Sequence, residues 1–250
     1  MTRKVLLSII IATINRPGKL QDCVNSINHV FKDSIEDVEI IVVDQSIKQA
    51  EIRSKINIKH FRSSPGASKA RNYGAGKSTG SYLWFFDDDA ILSKFTLQKL
   101  NSDRSAYFIN WNERNTRAIL NTIYKRLYIL RNSGTPMYVV KAKLFRSIGG
   151  FDEKIGPGRA IAGGEDADFI LRCNVEKCIS YEPIGEFSHP IETKNSEKLI
   201  AYARYRGFIL RKNRLTGLIA LHVIYYLAIS MFRRNRTIHA FMKGLIDSQI

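Results

Sequence analysis

The feature that most restricts the fold of this chain is an alternation within its first ninety residues. Almost wholly apolar, β-rich runs take turns with segments of helical spacing. Val5–Ala12 is such a run, and Val38–Val43 is another. Between them, Leu20, Cys23, Val24, Ile27, Val30 and Phe31 recur at the three- and four-residue steps of one helix face. A weaker strand pattern covers Ile56–Phe61, a helix is predicted over Ser68–Lys77, and Tyr82–Phe86 reads as a strand closed by three aspartates. Strands that are apolar at nearly every position are buried on both faces, and strands separated by helices pair in parallel. The expectation is an α/β protein with one mostly parallel sheet flanked by helices.

The pattern loosens further on. Ala106–Trp111 and Met137–Val140 look like strands, with a helical pattern at Ile119–Leu130 between them. Gly149-Gly150, Gly156-Pro157-Gly158 and Gly163-Gly164 mark a loop-rich stretch. A helix is predicted over Glu165–Cys173 and a short strand over Cys178–Glu182. From about Ser196 the sequence is helical and basic, which sets a domain boundary near Asn195: residues 1–195, then a helical extension over 196–250.

Charge narrows the partners. Lys and Arg number 39 against 23 Asp and Glu, a net +16 over 250 residues, which suggests an anionic partner. Residues 201–250 hold nine basic side chains and one acid, Asp247, so +8 sits in a fifth of the chain. Leu215–Phe232 lies inside that basic region, 18 residues without a full charge. It is at the short limit for a membrane span, and basic residues flank it on both sides. A helix lying at an anionic membrane surface, or one packed on the main domain, are the two expectations. Three cysteines make no disulfide framework, so a reducing, cytoplasmic setting is expected. The basic start Met1–Lys4 with its apolar run lacks a small-residue cleavage site and reads as a strand rather than a signal peptide.

In an open α/β sheet, ligands bind beyond the carboxyl ends of the strands. There the sequence places Thr13, Asn15 and Arg16, then Asp44, Gln45 and Ser46, then Asp87, Asp88 and Asp89. Adjacent carboxylates at a strand end repel by about 1–4 kcal/mol per close pair, and a divalent cation would relieve this. Carboxylate oxygens suit Mg²⁺ or Mn²⁺, which are held by one or two carboxylates plus substrate phosphates. Extended-chain alternation puts Asp87 and Asp89 on one side. A solvated turn or helix cap is the competing account of the triplet. Ser64-Pro65-Gly66 opens a helix whose first turns carry Lys69 and Arg71, groups suited to phosphate. Gly163-Gly164 leads into the acid-rich start Glu165, Asp166, Asp168, where acids suit the helix dipole and the glycines suggest a close substrate approach. His189 follows the last strand and could complete an aspartate-based metal site. Gly76-Lys77-Ser78 is no P-loop, because position 71 is Arg and the strand follows the motif instead of preceding it. Cys173 and Cys178 lack the second close pair of a zinc site.

Five segments in order resemble the family 2 glycosyltransferases: Ser8–Arg16, Ile41–Ser46, Ala70–Gly74 with its Asn72, Asp87–Asp89, and Gly149–Asp152 with Gly164-Glu165-Asp166. The resemblance covers about residues 5–190. It implies the A-type fold, a Rossmann-like sheet, with a nucleotide-sugar donor, a divalent metal and inversion at the anomeric carbon. By the same resemblance Thr13 and Asn15 would line the nucleotide pocket and Asp44 would accept from the base, usually uracil. Arg71 would meet the diphosphate with Asn72 beside it among the substrate residues, Asp87 would lie near the ribose, and Asp89 with His189 would hold the metal. Asp166 would be the general base, with Glu165 beside it gripping the acceptor. Gln45 departs from the usual acidic pair after the second strand, and the Gln-x-x-Arg-Trp signature of processive synthases is absent. Transfer of one sugar per encounter is therefore expected. With the basic C-terminal region, it points to a lipid-linked glycan acceptor, such as a polyprenyl-diphosphate glycan in capsule or O-antigen assembly at the inner face of the bacterial membrane. A metal-dependent sugar nucleotidyltransferase is an alternative, told apart by a triphosphate substrate. A nucleic-acid-binding protein is a second, but its ligand edge would be basic and aromatic, whereas this edge is acidic.

Overall fold

The structure is a computed structural model that describes residues 5–101, 104–111, 134–173, 179–180, 184–190, 196–233 and 236–247. The segment 119–130 and the boundary near Asn195 lie outside the described residues. The main sheet runs in the order β3-β2-β1-β4-β8-β6-β9. Its strands are β1 (Leu7–Thr13), β2 (Val38–Asp44), β3 (Asn57–Arg62), β4 (Tyr82–Asp87), β6 (Ala106–Phe108), β8 (Tyr138–Lys141) and β9 (Ile179–Ser180). β3, β2, β1 and β4 are parallel, with Ile9 opposite Ile40 and Trp84. β8 pairs antiparallel with β4 and β6. The expected mostly parallel α/β sheet is therefore present. β2 is buried along its whole length and β1 nearly so, as the continuous β-branched runs require.

Helix α1 (Pro17–Val30) opens on proline, whose fixed φ suits the first turn and whose missing N–H costs nothing there. It buries Leu20, Cys23, Val24 and Ile27. Helix α2 (Ala67–Lys77) lies so close to the sheet that a Cβ at Gly74 would stand 2.6 Å from Ile10 Cγ2. Chain order β1, β2, β3 grows the sheet one way from β1, and β4 then joins on the other side. The carboxyl ends of β1 and β4 thus flank the reversal of strand order, where a crevice opens.

A small second sheet, β5-β10-β7, was not foreseen in the sequence. It comprises β5 (Ile91–Phe95), β7 (Asn110–Trp111) and β10 (Gly185–Ser188). β10 runs antiparallel to β5, with Ser188 opposite Ile91. That register carries His189 back to the aspartate turn preceding β5.

Helices α3 (Ala142–Ser147) and α4 (Glu165–Arg172) cover the far side of β4. Phe85, Phe145, Phe151 and Phe169 form an aromatic cluster there, with Phe151 stacked on Phe169 at 4.5 Å. Three further helices follow: α5 (Ser196–Lys212), α6 (Thr216–Arg233) and α7 (Thr237–Ile246). α5 and α7 cross where Gly207 meets the Phe241 carbonyl and Gly244 meets that of Arg204. These helices share a second core with Ile155, Ile161 and Ala167, so they pack on the glycine-rich loop before α4 and on α4 itself. Among the described residues no helix is long and apolar enough to cross a membrane.

Candidate active site

The carboxyl edge between β1 and β4 gathers most of the residues that the sequence singled out. After β4 the chain turns, with the Ala90 N–H donating to the Asp87 carbonyl at 3.1 Å. The turn sends the three aspartates in two directions. Asp88 points inward, accepting from Thr13 Oγ1 at 2.6 Å and Arg16 Nη1 at 3.2 Å. Burial pushes its carboxyl above the usual range, against the pull of those donors. Asp87 and Asp89 both face His189, whose Nε2 lies 3.7 Å from Asp87 and 3.0 Å from Asp89. The alternation argument for this pair therefore agrees with the geometry.

Asp89 also meets Arg16 at 3.3 Å and Lys19 at 3.4 Å. The His189 hydrogen bond, outweighing burial, holds the Asp89 carboxyl at about 2, and the same contact lifts His189 to about 9. His189 Nδ1 lies 3.0 Å from the Pro190 carbonyl. A proton on Nδ1 would leave Nε2 as the ring's metal-facing atom once its own proton is lost.

The loop after β1 is held by the loop after β2. The Asn15 N–H donates to Ser46 Oγ at 2.7 Å, and Asn15 adopts φ +54°, left-handed backbone that a non-glycine residue adopts only when its surroundings impose it. Asp44 is the residue expected to accept from a base. Its side chain has no exposed surface, and its oxygens accept from the backbone N–H groups of Ser46 and Ala50, both at 2.8 Å. It shapes the turn that presents Ser46. Despite burial, those bonds hold its carboxyl below the usual range.

Arg71 sits deepest. From α2 its Nη1 reaches Glu165 at 3.1 Å and Asp166 at 3.5 Å, and its Nη2 reaches Asp87 at 3.2 Å. Burial opposes its charge, but Asp166, Asp87 and Glu165 more than restore it, so its pKa is raised. The sequence assigned Arg71 to a diphosphate; the structure gives it to three carboxylates, tying the turn after β4 to the first turn of α4. Asp166 keeps a fifth of its side-chain surface exposed and Asp87 over a quarter, so both can still meet a ligand.

Two other expectations change. Asn72 was set among the substrate residues, but its amide clasps Phe151: Nδ2 donates to the Phe151 carbonyl and Oδ1 accepts from the Phe151 N–H, both at 2.9 Å. Lys69 lies at the rim, bonded to Ser64 Oγ at 2.9 Å. Gly163 and Gly164, with φ of +156° and +86°, are not open to a substrate at their Cα positions. A Cβ at Gly164 would meet Tyr205 Cδ2 at 2.8 Å. One residue that sequence reasoning missed belongs to the site. Lys19, in the first turn of α1, could be found from its spacing to Arg16. Cys23 lies beneath the turn with Sγ 3.5 Å from the Asp87 carbonyl, its thiol pushed up by burial and by the aspartates, so it is an inert core group.

Among the described residues no group of three or more His, Cys, Asp and Glu is arranged to enclose a metal ion. A carboxylate and an imidazole 3.0 Å apart, with a second carboxylate alongside, still fit a cation held by few protein groups and completed by phosphate oxygens.

A sequence model of the glycosyl transferase family 2 domain matches residues 8–102. An uncharacterized glycosyltransferase of Haemophilus influenzae is 25% identical over 232 residues, covering 80% of this chain and 76% of that protein. In fold the chain is similar to S. aureus TarS residues 1–349 crystallised with UDP-GlcNAc, at a TM-score of 0.60 and 18% identity over 84% of this chain and 71% of that one. It spans 43% of a longer TarS chain. The mannosyltransferase PcManGT of Pyrobaculum calidifontis, solved with GDP-Man and Mn²⁺, superposes at 0.60 with 14% identity, covering 84% of this chain and 64% of that one. At such identities the structural likeness speaks for the fold. The domain match, the homologue and the architecture together make residues 8–102 a glycosyl transferase family 2 domain, on a chain with the A-type glycosyltransferase fold.

Proposed function

We propose that this glycosyltransferase moves a single sugar, with inversion, from a nucleoside-diphosphate sugar to an acceptor hydroxyl, with Asp166 as the general base. The observation that carries this reading is the convergence of Asp87 and the Glu165–Asp166 pair on Arg71, beside the crevice between β1 and β4. The donor would lie along that edge, past Thr13, Asn15 and Ser46, and the half-exposed cations Arg16 and Lys19 would meet its diphosphate. The complexes of TarS with UDP-GlcNAc and of PcManGT with GDP-Man make a sugar nucleotide the natural donor class, and UDP is the first to test.

The acceptor oxygen attacks the anomeric carbon while Asp166 takes its proton. The bond from that carbon to the diphosphate oxygen breaks, and the nucleoside diphosphate leaves with the electron pair. Base assistance contributes about 10²–10⁴-fold. Asp89 and His189 would hold Mn²⁺ or Mg²⁺, which when bound neutralises charge on the leaving diphosphate. Arg71 keeps Asp166 and Asp87 at a fixed separation, and Glu165 would contact the acceptor.

Residues 1–195 are the catalytic unit in this reading, and 196–250 face an anionic membrane. On α6 the exposed residues Leu221, Ile224, Tyr225, Leu227 and Met231 make an apolar stripe, while exposed Arg211, Arg214, Arg236 and Lys243 supply the positive charge. Such a face suits a lipid-linked acceptor such as a polyprenyl-diphosphate glycan, and a role in bacterial surface polysaccharide assembly. The deciding experiment is Asp166→Asn. Transfer should fall by about 10²-fold or more while UDP affinity is kept, and near-normal turnover would overturn the assignment.

A further inference from the structure

Helix α4 carries Asp166 but is only eight residues long, too short to hold its own orientation. It is seized at two levels by α5. The first contact is electrostatic. Asp168, wholly buried, accepts from Arg172 Nε at 2.8 Å and Asn213 Nδ2 at 3.2 Å, and pairs with Lys212 Nζ at 3.0 Å. Lys212 also grips Asp152 at 2.6 Å, and Arg172 runs on to the carbonyls of Ile148 and Gly150 at 2.9 and 2.7 Å. The four charged groups Asp152, Asp168, Arg172 and Lys212 balance only while Lys212, at the end of α5, is seated. Without it two carboxylates are left near one guanidinium, which is costly for Asp168 because its side chain has no exposed surface.

The second contact is steric. The Tyr205 ring of α5 stands on the glycines that open α4, where a Cβ would lie 2.8 Å from it at Gly164 and 3.1 Å at Gly163, and Ile209 closes the same spot at 3.1 Å. Tyr205 meets the helix just before Asp166, and Lys212 meets it just after. Asp166 thus lies on the single turn that α5 clamps from both ends.

We infer that Lys212, Asp168 and Tyr205 are positioning residues that set the aim of Asp166, so that the C-terminal helices form a working part of the active site. This rests on the reading of Asp166 as the base. A displacement of about 1 Å at a reacting group costs on the order of 10²-fold in rate, so a loosened α4 lowers turnover without touching the donor edge.

The test uses the full chain and the sugar nucleotide that most raises its melting temperature, chosen from a panel of UDP- and GDP-sugars. Release of nucleoside diphosphate with Mn²⁺ is followed for wild type, Lys212→Met, Lys212→Arg, Tyr205→Leu and Asp166→Asn. Lys212→Met should lower kcat tenfold or more, with donor KM and UDP affinity within twofold of wild type, and Lys212→Arg should recover to within threefold. If Lys212→Met does not fold, Tyr205→Leu carries the same test, because it leaves the buried charges balanced. A folded Lys212→Met or Tyr205→Leu with kcat within twofold of wild type overturns the inference, as does a loss of donor affinity in step with kcat. Wild-type turnover in Asp166→Asn would instead overturn the base assignment beneath it.

Discussion

Replacing Arg71 with methionine keeps the aliphatic stem of the side chain and removes the charge that three carboxylates share. At an effective dielectric of about 20, an ion pair at 3.2 Å has a gross attraction of about 5 kcal/mol. Most of that is offset by the desolvation of both partners, and breaking a buried pair costs about 3–5 kcal/mol net. Glu165 is buried, whereas Asp87 and Asp166 are in part exposed and screened, so the loss should stay near that range and not multiply by three. For a chain of this size about 1 kcal/mol shifts the midpoint by roughly 2–4 °C, so thermal unfolding at pH 7.5 should drop by about 6–20 °C. A melting temperature within 2 °C of wild type at pH 7.5 would refute the argument.

Two more outcomes follow from the same kind of accounting. Glu39, with no exposed surface, accepts from Ser8, the Thr79 N–H and hydroxyl, and Lys59; these bonds outweigh burial and lower its carboxyl pKa. Its stabilisation is therefore complete above about pH 4.5 and is lost as pH falls through the lower folded value. Glu39→Gln should cost about 2–4 kcal/mol at pH 7 by urea denaturation, with the gap to wild type closing in acid. Serine at Leu221, Ile224 and Met231 should leave the fold intact and reduce flotation with phosphatidylglycerol vesicles, as should added salt. Equal flotation of variant and wild type would remove the membrane role. Truncation at residue 211 is the poorer test, because it removes the Lys212 and Asn213 that hold Asp168.

The reach of the sequence ended where tertiary placement began. β1, β2 and β4 were legible because an element buried on both faces is apolar at nearly every position, Ser8 and Glu39 being admitted only because they bond to each other, and the residues just after each strand were bound to share an edge. Asp87 and Asp89 were separable from Asp88 by alternation alone. Local pattern could not show that Asp44 and Asn72 spend their polar atoms on the backbone of Ser46, Ala50 and Phe151. Both are polar residues at a ligand edge, and only the path of the neighbouring loop distinguishes a group that faces a ligand from one that builds the wall. The second sheet escaped because β10 is four residues long and its partner β5 lies some ninety residues earlier. Gly163 and Gly164 signalled a close approach correctly in kind, but what approaches is Tyr205 of α5.

The central claim is that the edge between β1 and β4 holds the diphosphate and its cation within reach of Asp166. Crystals grown with UDP and Mn²⁺ test it directly through the anomalous signal of manganese. The account predicts a peak bonded to Asp89 and His189, the UDP diphosphate against it, and Asp166 facing the space beyond the phosphates. Manganese and nucleotide bound elsewhere, with that corner still closed by Arg16 and Lys19, would contradict it.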